Sequence, residues 1–142
     1  MFLGTFTPKL DDKGRFFLPA KFREELASGL VITREPDRCL AIWPTEVFQA
    51  EVAKAATGPS TRQRTRFYQR MVASGASDEL ADSQGRVVIP APLRDYAGLS
   101  KDIVVIGAFN RLEVWDAKTW EAYSAAQEEV FADLDEAGWD ID

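Results

Sequence analysis

Short apolar runs, each closed by glycine, proline or charged residues, set the rhythm of this chain. They have the length and the β-branched or aromatic content of strands. In the first half they predict strands over Thr5–Leu10, Arg15–Leu18, Leu30–Thr33 and Cys39–Trp43. In the second they predict strands over Ser77–Ala81, Arg86–Ile89, Ile103–Ile106 and Leu112–Trp115. Glu35-Pro36-Asp37-Arg38 and Phe109-Asn110 read as the turns between the last two strands of each set. Pro19 and Pro90 stand where a brief helix can begin, since a first-turn residue needs no N–H partner. Phe22 with Leu26, and Leu93 with Ala97, give each brief helix an apolar pair, and Gly29 and Gly98 stand where it stops.

The two sets of strands are copies of one pattern. Asp11-Asp12-Lys13-Gly14-Arg15-Phe16-Phe17-Leu18-Pro19-Ala20-Lys21-Phe22-Arg23 recurs 71 residues later as Asp82-Ser83-Gln84-Gly85-Arg86-Val87-Val88-Ile89-Pro90-Ala91-Pro92-Leu93-Arg94. Six of the 13 positions are identical and four more stay apolar. Leu40-Ala41-Ile42-Trp43 is echoed, shifted by 72, in Leu112-Glu113-Val114-Trp115. Two matches in the same order make duplication the better reading. A helical extension follows each copy. Thr45–Ala56 is one predicted helix, Gly58-Pro59 breaks it, and Ser60 with Gln63 forms a capping box for a second. Asp116 caps the last helix, which carries Trp120, Tyr123, Phe131 and Leu134 near one face, and the chain is expected to fray beyond Gly138.

Composition narrows the chemistry. There is no histidine and one cysteine, Cys39, so the usual zinc sites, imidazole acid–base groups and an intrachain disulfide are absent from the expectation. The chain reads as a non-enzyme that uses neither cofactor nor metal. No apolar run reaches the roughly 18 residues of a membrane span, and no secretory leader pattern opens the chain, so it reads as cytoplasmic. The net charge of −6 argues at first against a nucleic-acid partner. Its distribution argues otherwise: residues 1–71 hold 12 basic and 8 acidic side chains, residues 72–142 hold 5 and 15. From Glu121 onward there are 8 acidic side chains and no basic one. Such a tail is a solvated helix end, a restraint on non-specific DNA binding, or a group that docks on a neighbour's basic surface. For a phosphate backbone the local positive patch matters more than the total.

The repeated turn concentrates the informative polar residues. Gly14 and Gly85 suit a three-residue hairpin whose last position needs positive φ. Alternation puts Arg15 and Phe17 on one side of the strand and Phe16 and Leu18 on the other. Arg15 then sits at the mouth of a hairpin whose tip offers Lys13 and the amide of Gly14. Asp11, four residues earlier, can orient the guanidinium. An arginine fork can bond two acceptors of guanine or clamp a phosphate, and such a ribbon can enter the major groove. The competing reading makes Asp–Arg a structural pair that closes the turn, and duplication does not choose between them. Arg23 and Arg94 read foremost as solvated helix residues whose stems cover Phe22 and Leu93. Arg62, Arg66 and Arg70, with Arg64 nearby, form a basic stripe suited to phosphate or to a partner's acidic helix. Trp43 and Trp115 read as core or interface residues, and Cys39 as a buried thiol.

These residues carry a resemblance. Met1-Phe2-Leu3-Gly4, Leu10-Asp11-Asp12-Lys13-Gly14-Arg15 and Pro19-Ala20-Lys21-Phe22-Arg23 resemble the first module of the MraZ family of bacterial transcriptional regulators. Asp82-Ser83-Gln84-Gly85-Arg86, Tyr96-Ala97-Gly98-Leu99-Ser100-Lys101 and Leu112-Glu113-Val114-Trp115-Asp116 resemble its second. The resemblance implies an α+β, mainly β fold of two duplicated SpoVT-AbrB modules, each a swapped-hairpin β-barrel-like unit with appended helices. On that basis residues 1–48 are the first module, 49–75 a helical connector, 76–120 the second module and 121–142 an acidic helix and tail. It also implies a sequence-specific regulator, read as a repressor, of the division and cell-wall gene cluster including its own promoter. The implied partners are double-stranded DNA with direct repeats and further copies of the chain in a ring, in the cytoplasm at the nucleoid, with no membrane and no small-molecule substrate. The alternative is a ring scaffold or protein-interaction module. The family's Asp-x-x-x-Arg motif falls on Asp11 and Arg15 and on Asp82 and Arg86. The DNA-binding set is then Asp11, Lys13, Gly14, Arg15 and Arg23 with Asp82, Gln84, Gly85, Arg86 and Arg94. One departure matters: Ser83 and Gln84 stand in the second turn where the first has Asp12 and Lys13.

Overall fold

A computed structural model describes residues 1–55 and 62–135. The Gly58-Pro59 break, the capping Ser60, Ala56 and the end beyond Gly138 lie outside the described residues. The fold is α+β. Its strands are β1 (Thr5–Phe6), β2 (Arg15–Phe17), β3 (Leu30–Glu35), β4 (Cys39–Pro44), β5 (Ser77–Glu79), β6 (Arg86–Val88), β7 (Ile103–Gly107) and β8 (Leu112–Asp116). The helices are α1 (Thr45–Ala55), α2 (Gln63–Gly75), α3 (Ala91–Ala97) and α4 (Ala117–Ala132). A six-stranded sheet runs in the order β1-β7-β8-β4-β3-β5, and β2 pairs with β6 in a separate ribbon; every pairing is antiparallel.

The register explains why the apolar runs are short and dense. Leu30, Ile32, Leu40, Ile42, Ile103, Val105, Leu112 and Val114 alternate along four neighbouring strands, and each is at most 1% exposed. They form the inner face of the sheet, closed by Phe16, Leu18, Val87 and Ile89 of the ribbon, with Phe22, Leu26 and Leu93. Trimming any of these aliphatics to alanine should cost about 2–5 kcal/mol, the lost transfer plus the void left behind. The opposite face of β3 and β4, including Val31, Thr33, Ala41 and Trp43, is buried too, which is why those strands read as unbroken apolar runs. Thr33 is the one buried polar side chain among the described residues, and its Oγ1 accepts from Trp43 Nε1 at 3.0 Å.

Strand partners differ from the local reading. The repeated turn is not the tip of a three-residue hairpin with paired arms. β1 joins β7 of the second half, β5 joins β3 of the first, and β2 joins β6. The halves thus exchange their first strands and zip their second strands together. The strands themselves are shorter or longer than expected: Thr5–Leu10 keeps two ladder residues plus a Lys9–Asp102 bridge, while β3 runs on to Glu35. In the first copy the brief helix is a 3-10 turn over Ala20–Phe22; in the second it is α3, capped by Gly98 in the left-handed region. α2 begins after Arg62, which makes no side-chain cap bond. Asp116 does cap α4, accepting from Thr119 N at 3.2 Å. Trp115 is 3% exposed and packs on Trp120 and Tyr123, and Trp43 on Phe48. No helix among the described residues is long and apolar enough to cross a membrane.

Candidate nucleic-acid interface

Both copies of the turn are built the same way. The Asp11 carboxylate accepts from the backbone N–H of Lys13 and of Arg15, each at 2.9 Å, and from Arg15 Nε at 2.8 Å. Asp82 accepts from the N–H of Gln84 and Arg86 at 2.9 Å and from Arg86 Nε at 2.7 Å. Backbone bonds close each loop: Gly14 N to Asp11 O at 3.0 Å and Asp11 N to Arg15 O at 2.8 Å, with Gly85 N to Asp82 O and Asp82 N to Arg86 O both at 2.9 Å. The side chain thus stands in for a backbone acceptor, the usual reason aspartate starts a turn. The N–H of Arg15 beside Asp11, and that of Arg86 beside Asp82, is the largest cause that holds each carboxyl below its ordinary value. Because Nε is taken by the aspartate, the orientation of each guanidinium is set. Its two Nη groups take no partner among the described residues. An arginine held this way presents a pre-aimed fork.

The ribbon carries the two turns at its opposite ends. Arg15 pairs with Val88, and Phe17 with Arg86. Phe16 and Val87 point into the core, whereas Phe17 is 51% and Val88 41% exposed. Arg15, Phe17, Arg86 and Val88 therefore share an outward face, two cations alternating with two apolar groups. An exposed phenylalanine beside a buried one was not singled out from the sequence. The adjacent pair Phe16-Phe17 was its signal, since alternation can bury only one of them.

The halves also complete each other's turns. Gly14 O accepts from Ile89 N at 2.8 Å, and Gly85 O from Leu18 N at 2.9 Å. Arg94 donates from Nε to its own Ile89 O at 2.9 Å and lies across Gly14, where a Cβ would come within 2.8 Å of that nitrogen. Arg23 donates from Nε to Leu18 O at 3.2 Å and lies across Gly85, where a Cβ would come within 2.5 Å. Here the structure corrects the sequence reading. These arginines are pinned beside the other copy's turn, rather than serving only as solvated covers for Phe22 and Leu93. Gly14 and Gly85, at φ 78° and 80°, are glycine both for their backbone and for the guanidinium above them. One cluster gathers Lys13, Arg15 and Arg94 around Asp11 and Asp12. The other gathers Arg86 and Arg23 around Asp82, with Gln84 at its tip. Each holds one more cation than anion.

Elsewhere the polar chemistry is quiet. Cys39 is buried and its thiol is pushed up to about 12, mainly by burial, so it is no nucleophile. Among the described residues no group of three or more potential ligands could hold a metal ion.

The sequence matches the family described as "MraZ protein, putative antitoxin-like" twice, over residues 1–71 and 72–141. It is 64% identical over 134 residues to the Transcriptional regulator MraZ of Cutibacterium acnes, covering 94% of both chains. It is 52% identical over 135 residues to the protein of that name from Nocardioides sp., covering 95% of this chain and 94% of that one. For the one from Thermobifida fusca the identity is 55% over 136 residues, covering 96% and 95%. With two matches that together span both halves of the duplicated fold, this chain belongs to the MraZ family.

Proposed function

We propose that this chain is a DNA-binding transcriptional regulator that meets double-stranded DNA through the β2–β6 ribbon and the two turns at its ends. One observation carries the reading: Arg15 and Arg86 are aimed by Asp11 and Asp82 through Nε alone, leaving both forks open on one outward face. A pair that only closed the turn would have no need to leave both forks open. A bidentate contact to guanine O6 and N7 fits that geometry, with Lys13 and Arg94, and Gln84 and Arg23, serving the flanking phosphates or base edges. The names of the relatives support the regulatory role. We read the chain as two modules, 1–48 and 76–120, with a connector over 49–75 and an acidic end over 121–142. The exchange of first strands between halves supports the swapped-hairpin SpoVT-AbrB reading of those modules. The finer reading is a sequence-specific repressor at the nucleoid. It acts on direct repeats in the promoter of its own gene and the division and cell-wall cluster, as a ring of copies.

The test is binding to DNA from upstream of the chain's own gene. Arg15→Ala should lose roughly 1–3 kcal/mol per engaged site, the worth of one bidentate pair, while its melting temperature stays near wild type. Arg86→Ala should lose less, because its turn carries Gln84 in place of Lys13. Unchanged affinity with unchanged melting would return the Asp–Arg pair to a purely structural role. Equal affinity for unrelated DNA, or a preference for acidic protein surfaces, would favour the scaffold alternative.

A further inference from the structure

The β2–β6 ribbon has a two-fold axis that its side chains obey only in part. Arg15 pairs with Val88, Phe16 with Val87 and Phe17 with Arg86, so the axis passes between Phe16 and Val87. It carries each position of the first copy onto its counterpart 71 residues later. On the inward side it exchanges Phe16 with Val87 and Leu18 with Ile89, all buried. On the outward side it exchanges Arg15 with Arg86, but also the exposed Phe17 with the shorter Val88. At the turns it exchanges Lys13 with Gln84. The arginine forks repeat, and the groups beside them do not.

Phe17 does nothing for the fold that a polar residue would not do. It faces away from the core that Phe16 and Leu18 fill, and none of the ring contacts among the described residues includes it. Its cross-strand partner is Arg86, and directly opposed residues stand about 5 Å apart at Cβ. That is little more than one base step of B-DNA, ~3.4 Å. With the Arg86 fork on a base edge, the Phe17 ring falls on the neighbouring base pair. The apolar group that a base edge offers in the major groove is the C5 methyl of thymine. At the other end Arg15 is partnered by Val88, and Lys13 stands at the tip as a point charge suited to phosphate. The same arginine is thus surrounded by charge at one end and by apolar reach at the other.

We infer that Phe17 is a specificity-determining residue, packing on the C5 methyl of a thymine next to the base pair that Arg86 takes. This rests on the proposed DNA reading and deepens it. The Arg86 end of the ribbon, which carries Gln84 in place of Lys13, selects sequence through a methyl contact. The two ends of the ribbon are then not interchangeable on DNA. Burial of one methyl is worth about fourfold in affinity for each engaged repeat.

The test replaces thymine by deoxyuracil, which removes the methyl and keeps every hydrogen-bonding group of the base. DNA from upstream of the chain's own gene carries the replacement at one thymine at a time within one repeat, and the full chain is titrated onto each fragment. One thymine beside a guanine should stand out, its replacement weakening wild type by about fourfold. Phe17→Ser should bind the unmodified fragment more weakly and lose nothing further from that replacement; circular dichroism melts establish that it is folded. Phe17→Val, which keeps a strong strand former, should show the same blunting to a smaller degree. Val88→Ser should retain the full sensitivity to that thymine. A wild type indifferent to every replacement, or a Phe17→Ser protein with the full loss at that thymine, would overturn the methyl contact. So would a Phe17→Ser defect of equal size on unrelated DNA, since the ring would then be touching the backbone. Either result, with Arg15→Ala still losing the promoter, would leave the DNA reading standing. A wild type that ignores its promoter would sink both.

Discussion

Asp11, Asp82 and Glu35 show how differently a carboxylate can sit in one small protein. Asp11 and Asp82 are exposed and held low by the N–H groups they accept from, and Asp102 is held low by the Lys9 side chain. Their contribution to stability is complete above the ordinary value of 3.8 and disappears as pH falls through their lower folded values. Glu35 is the reverse. Burial raises it above 4.5, with the nearby Glu113 adding to the rise and Arg111 opposing it. The folded state therefore holds that proton more tightly than the unfolded chain, and ionised Glu35 works against folding. Stability from this group is present below 4.5 and is lost as pH rises through its folded value. Glu35→Gln should raise the urea midpoint at pH 7, and the gain should vanish at about pH 4. A gain that is absent at neutral pH would mean that Arg111 outweighs the burial. The Asp–Arg geometry was legible at this scale because an aspartate four residues before an arginine, across a glycine turn, leaves few other arrangements. Glu35 was not, because nothing local to Arg34-Glu35-Pro36 tells that its carboxylate is covered from β8.

At the scale of elements, the positions of strands were legible and their partners were not. Alternation locates Phe16 and Leu18 against the core correctly, since it needs only the period of the backbone. It contains no information about which strand supplies the next ladder, and a glycine turn between two candidate strands invites a local pairing. Here the turn's own amides are consumed by Asp11 and Asp82, and the ladder bonds go to the other half. The same cross-connection placed Arg23 and Arg94 out of reach of local reasoning. It also makes the turn glycines unequal to other glycines. Gly98 is left-handed at φ 60° with open space where a Cβ would stand, so Gly98→Ala should cost only the left-handed penalty of about 1–2 kcal/mol. Gly14→Ala pays that cost at φ 78° and must also push Arg94 and the Ile89 carbonyl away from contacts of 2.8 and 3.0 Å. It should be the more destabilising of the two and should weaken DNA binding out of proportion to its loss of stability, because a flanking cation moves. Denaturant melts and titrations on both variants read the difference; equal effects would mean that Arg94 swings aside freely.

For the whole molecule, the exchange of strands makes the halves dependent on each other. Residues 1–71 alone would leave β1, β2 and β3 without β7, β6 and β5 and would uncover the ribbon side of the core. That fragment should therefore not fold as a monomer, whereas an equimolar mixture with 72–142 should regain the strand signal in circular dichroism; a folded monomeric half would contradict the topology. The same interlock fixes the two turns on one ribbon, so a single molecule carries two arginine forks with a fixed separation. Each cluster exceeds its own acids by one charge, and the chain as a whole is at −6, so one molecule gains little from the general attraction of phosphate. Weak local attraction, together with the ring of copies proposed above, favours binding through many modest contacts, each raising the effective concentration of the next. Affinity should then climb steeply from promoter fragments with one repeat to those with two and three. It should also fall when the spacing is changed by half a helical turn, because neighbouring ribbons would face opposite sides of the duplex. Rising salt should weaken the three-repeat complex more steeply than the one-repeat complex, as more phosphates are engaged and more counterions released. A single repeat that binds as tightly as three, with no sensitivity to spacing, would show that each molecule acts alone.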